Sequence, residues 1–165
     1  MTSITDYVVA LEHSQAAIFV SHSSWIFSAF LMIHVTAIAI VVGMIAIVDL
    51  RLLGLASRKS AVTALCREAL PWTWAAFAVS AITGAILFLA QPVKYFGNFA
   101  FQMKFALMAL AGVNMLVFQL ITYRDVAAWD RDGTIPLAAR LAGAISLLSW
   151  IAVVAYGRWT AYFMA

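Results

Sequence analysis

Three side chains that could do chemistry sit inside otherwise apolar stretches: His34, Lys104 and Arg158. His34 lies nine residues after Trp25 in the first long apolar run. At ~1.5 Å per residue that is roughly 13–14 Å along a helix, near the centre of a hydrocarbon layer. An imidazole can stay neutral there and still ligate iron or another metal, so it is a functional candidate by position alone. It can equally serve as a hydrogen bond between two helices. Lys104 opens the third apolar run and Arg158 lies near the end of the fourth. Each can act as an interfacial anchor, its stem in lipid and its charge at the surface. With Lys94 they share one membrane level, above His34, where basic groups would meet the carboxylates of an anionic cofactor such as the haem propionates.

The elements that must carry these residues follow from composition. The chain has 165 residues, 65% of them hydrophobic and only 10% charged, with a mean hydropathy of +0.99. Water-soluble domains run near half apolar and a quarter charged, so a soluble globule and a disordered chain are both excluded. The predicted architecture is all-α: an antiparallel bundle of four membrane helices in one domain over residues 1–165, with spans at about 25–48, 72–90, 99–122 and 136–163. Before the first span, residues 3–23 read as an amphipathic surface segment or a lead-in extension of the first helix. They lack the basic start of a cleavable signal peptide. Gly54 is placed to cap the first span, Ser60 to cap a short helix in the polar connector 55–70, Pro71 to open the second span, and Thr134 to cap the fourth.

The net charge is +3. The basic residues fall between apolar spans, which reads as membrane orientation and not as a nucleic-acid surface. Arg51, Arg58, Lys59 and Arg67 follow the first span, and Arg124, Arg131 and Arg140 surround the third connector. Only Lys94, Lys104 and Arg158 lie toward the other side. The positive-inside rule therefore places the two richer connectors in the cytoplasm of a bacterial inner membrane, with both termini outside. The single cysteine, Cys66, cannot form an internal disulfide.

Other polar residues are weaker candidates. His13 and His22 precede the first span and read as interfacial, with His22 a second axial ligand only if the helix begins early. Asn114 and Gln119 read as bonds between helices. The small residues Ala76, Ser80 and Gly84, Ala106, Ala109 and Gly112, and Ala139 and Gly143 recur at packing spacing. No phosphate loop, dinucleotide motif, nucleophile elbow or zinc-protease motif occurs in the sequence. Each Asp and Glu falls in a loop or at a span end, which argues against a proton-coupled transporter.

The stretch Trp25, Ile33-His34-Val35 and Gly43 resembles the first helix of HemJ-type protoporphyrinogen oxidases. Phe101-Gln-Met-Lys104-Phe-Ala-Leu resembles their third. Lys104 followed by Asn114 is also similar to the CopD-type copper-resistance membrane domain. The HemJ resemblance implies a four-helix membrane oxidoreductase that binds haem b and passes electrons toward a quinone, with His34 as axial ligand and Lys104 as second ligand or carboxylate partner. After its first span the chain reads Asp49-Leu-Arg51-Leu-Leu-Gly54 in place of that family's Leu-Pro-Arg-Leu, an ending closer to uncharacterised bacterial membrane proteins of similar size.

The leading expectation is a membrane haem b protein that transfers electrons to or from a quinone or a partner protein. His34 would be on iron, and Lys104, Arg158 and Lys94 near the propionates. Two competitors are a CopD-like copper-handling protein, with Met32, Met44, Met103, Met108 and Met115 as thioether donors, and a cofactor-free subunit of a larger complex. A homo-oligomer fits all three.

Overall fold

The computed structural model describes residues 4–57, 59–130 and 134–162. Arg58 and Arg131, named above, and position 163, the expected end of the fourth span, lie outside the described residues. The chain runs α1 (Ile4–Glu12), α2 (Gln15–His22), α3 (Ser24–Leu52), α4 (Val62–Ala90), α5 (Pro92–Phe96), α6 (Phe99–Val117), α7 (Val126–Trp129) and α8 (Leu137–Tyr162). A π-helical turn (Phe118–Thr122) and a 3₁₀ turn (Tyr123–Asp125) continue α6. Four helical stretches, Ser24–Leu52, Val62–Ala90, Phe99–Asp125 and Leu137–Thr160, are long and apolar enough to cross a membrane. The protein is thus an all-α, multi-pass membrane protein built on four long helices.

Most of each long helix is exposed and apolar, as lipid contact requires, and only a stripe is buried. On α3 that stripe is Ala37, Val41, Asp49 and Leu52. On α4 it is Val62, Cys66, Ala69, Ala76, Ser80, Thr83 and Leu87. The stripes seat α3 along α4, α6 packs along α8, and α3 meets α8, whereas α4 and α6 have no such seam. One flank of the bundle is therefore open. The small residues of α6 are not used for packing: Ala106, Ala109 and Gly112 are exposed.

The N-terminal segment is not an extension of α3. Extended backbone at Ser23 (φ −105°, ψ 99°) separates α2 from α3, and the Ser23 hydroxyl accepts the Ile26 N–H. The two short helices fold back on the bundle, α1 against α5 and α2 against α4, with Ala17 and Val20 buried.

The ends of the long helices show how sequence sets their limits. Gly54 (φ +74°) terminates α3, with the Leu55 N–H bonded to the Leu50 carbonyl and the Gly54 N–H to Arg51. This is a Schellman motif, which only a residue tolerant of positive φ closes without strain. Helix α4 begins ten residues before the expected start at Trp72, so most of the predicted polar connector is helix and Pro71 lies inside it. Proline removes one ladder bond there, and a membrane helix tolerates this when packing holds it on both sides. Helix α8 starts at Leu137, one residue after Pro136.

Ser60 does not cap α4; Asp130 does, from the far end of α7. Its carboxylate accepts from Val62 N (2.6 Å), Thr63 N (3.3 Å) and Thr63 Oγ1 (2.6 Å). Burial alone would raise the Asp130 pKa, but these bonds and the nearby Arg51 charge hold it below the ordinary carboxylate value. A depressed folded pKa adds stability that is fully present above the unfolded value near ~3.9 and is lost as pH falls through the folded value. Asp130→Asn is expected to lower stability at pH 7 by about 1–2 kcal/mol, the usual cost of a lost cap. The gap between the two thermal midpoints should close below about pH 4. A gap unchanged between pH 7 and pH 3 would refute the assignment.

Arg51 is not a snorkelling anchor. It is 4% exposed, and its Nε donates to the Ser60 carbonyl at 2.8 Å, tying the connector to α3. The tightest apolar packing, Leu52, Val62, Cys66, Trp129, Ile135 and Ala139, lies at this connector end of the bundle.

Candidate functional site

His34 belongs to the buried stripe of α3 because it shares a face with Ala37 and Val41, three and seven residues on. Its ring lies on α4. Nδ1 is 2.9 Å from the Ser80 carbonyl and 3.1 Å from Thr83 Oγ1. A carbonyl can only accept, so Nδ1 carries the proton. Thr83 donates its own hydroxyl proton to Val79 O at 2.7 Å, which leaves its oxygen able to accept from the ring. With Nδ1 protonated, the neutral imidazole has its lone pair on Nε2. Nε2 forms no hydrogen bond to a described residue.

Gly84 makes the close approach possible. A Cβ at that position would stand 2.9 Å from His34 Cε1 and 3.4 Å from Nδ1. The Ser80–Thr83–Gly84 segment of α4 is thus a seat for one imidazole: a carbonyl, a hydroxyl and a missing side chain.

Of the other predicted site residues, the structure brings Lys104 toward His34. It is partly buried on α6, and its ammonium is near enough to act electrostatically on the ring. Lys94 is exposed on α5. Arg158 is exposed and stacks on Tyr162, with Cζ 5.9 Å from the ring centroid. His22 is exposed at the end of α2. No bond joins these three to His34. Asn114 makes the expected bond between helices, Nδ2 to the Ala142 carbonyl at 2.9 Å. Gln119 instead stands exposed on the π-helical turn.

The residue that sequence reasoning missed is Asp49. It stands at the end of α3 and so reads as interfacial, yet it is 5% exposed. One carboxylate oxygen pairs with Ser146, and Oδ2 has no partner. Asp49 helps line a cavity of about 280 Å³ between α3, α4, α6 and α8, which none of His34, Lys104, Lys94 or Arg158 lines. The only sequence signal was an acidic residue two positions from Arg51 at a span end, and that is an ordinary boundary pattern.

Among the described residues, no group of three or more His, Cys, Asp or Glu could hold a metal ion. A porphyrin iron does not need one, since its ring supplies four nitrogens and the protein one or two axial ligands. The His34 seat fits that demand: a fixed tautomer, a free Nε2 and a backbone carbonyl behind the ring.

No curated protein and no solved structure matches the chain. Residues 16–163 match a family of unknown function, DUF6644.

Proposed function

We propose that this chain, which belongs to the DUF6644 family, is a membrane haem b protein that transfers electrons. The observation that carries the reading is the His34 ring, held through Nδ1–H by Ser80 and Thr83 with Nε2 left as a lone-pair donor. A histidine that served only to join α3 to α4 would not require its second nitrogen to stay unbonded. The resemblance of the His34 and Lys104 stretches to HemJ-type proteins supports the same assignment.

In this reading His34 binds iron through Nε2. The Ser80 carbonyl fixes the ring's orientation and raises its basicity as a ligand. Lys104 supplies positive charge beside the site and pairs with a propionate. The apolar surroundings exclude water, which favours electron transfer over ligand exchange and sets the potential. Haem itself supplies a one-electron couple. The electron partner is a membrane quinone or a partner protein. Seven basic residues in the two connectors against three on the other side support an orientation with the connector end in the cytoplasm of a bacterial inner membrane and both termini outside.

The test is the absorption spectrum of the pure chain, expressed with ample haem and recorded oxidised and then reduced. A Soret band that shifts on reduction, with iron stoichiometric to protein and copper absent, is the expected result. A colourless protein, or one holding copper in place of iron, would overturn the proposal.

A further inference from the structure

We infer that the cavity at the connector end is a second binding site, for a small hydroxylated aromatic ring of the phenol or hydroquinone type taken from the membrane. The observation is a buried carboxyl with an unused oxygen in an otherwise oily space. Asp49 is 5% exposed, its Oδ2 has no hydrogen-bond partner, and it lines a cavity of about 280 Å³. A buried polar atom without a partner costs free energy that a bound group can recover.

The surroundings select the ligand. Trp74, Phe77, Tyr123 and Trp150 line the space, so its walls suit a flat ring. The volume lies at the lower edge of small-molecule sites, about 300–1,000 Å³, which admits a single substituted ring and not a porphyrin. Trp74 and Gly112, on α4 and α6, line the cavity and are themselves exposed, so it reaches the flank where those helices do not pack. A ligand therefore comes from the lipid, not from water. A hydroxyl suits the Asp49 carboxyl in either protonation state, because a hydroxyl both donates and accepts. The π-helical turn at Phe118–Thr122 places Phe118 and Gln119 on the same cavity wall, and such turns are frequent at binding sites.

The site shares no residue with the His34 seat, but a hydroquinone is also the electron partner proposed above, so in its ligand class the inference rests on that reading. The test is isothermal titration of the full chain as isolated, in detergent under argon, with tetramethylhydroquinone and with its dimethyl ether. The hydroquinone is expected to bind at least about tenfold more tightly than the ether, because only its hydroxyl can donate to the unpaired carboxyl oxygen. Asp49→Leu, which removes the acceptor, should abolish most of that preference. Equal affinities, no binding, a preference unchanged in Asp49→Leu, or tighter binding of an alkylammonium of the same size would each overturn the proposal. If Asp49→Leu does not fold, the ether comparison in the unaltered chain decides. A haem-free preparation that still prefers the hydroquinone would separate this site from the fate of the haem assignment.

Discussion

His34→Ala is expected to fold, insert and carry no haem. The substitution removes the one imidazole with a free nitrogen inside the apolar spans, and nothing else on α3 can replace it. The informative companion is Gly84→Ala. It leaves His34 in place but puts a methyl 2.9 Å from its Cε1. The α4 backbone cannot yield, so the ring must swing away from Ser80 and Thr83 and lose the bonds that fix its tautomer. Loss of such orienting partners typically costs 10–100-fold in metal affinity. Gly84→Ala is thus expected to weaken haem binding by about that factor while His34 is still present. Retention of an unaltered Soret band in both variants would show that the ring only joins α3 to α4.

The second large effect is on stability. Gly143 of α8 meets α3 so closely that a Cβ there would lie 3.0 Å from Leu52 Cβ and 3.1 Å from the Asp49 carbonyl oxygen. One of those atoms is backbone, so the strain cannot be relieved by a rotamer change. The α3–α8 contact must give by a few tenths of an ångström, and neither atom is the free end of a flexible side chain. Overpacking of this kind costs about 1–3 kcal/mol, and Gly143→Ala should show it as a lower unfolding midpoint in detergent. Gly43 and Gly112 have no atom within 4 Å of the added methyl. Alanine at either is expected to leave the midpoint unchanged or raise it, since glycine is the poorer helix former. The same response at all three positions would mean that the contact at Gly143 is not a specific one.

How much of this was legible in the sequence depends on the direction asked about. Extent along the helix axes is written in the chain. Hydropathy marked the four long helices, and Gly54 announced the end of α3. Position around the bundle axis is not written there. Lys94, Lys104 and Arg158 were grouped because they share a level, yet only Lys104 comes within electrostatic reach of His34. Arg158 faces Tyr162 instead. The burial of Asp49 and Arg51 was hidden for the same reason. It is set by Gly143 and the Ser60 carbonyl, which fold against them from other parts of the chain. Pro71 misled because a proline within the first turn and one deep in a helix look alike when only local sequence is read. The cap on α4 comes from Asp130, and no local pattern could have named it.

The missing seam between α4 and α6 has a mechanical consequence. The molecule consists of two hairpins, α3 with α4 and α6 with α8, joined down one spine where α3 touches α8. The two leaves are clasped at both ends, by the Phe88–Phe101 ring stack at one (centroids 5.7 Å apart) and by Asp130 on the start of α4 at the other. Between the clasps the gap is a slot and not a hinge, so lipid tails reach the helices there without either pair having to part.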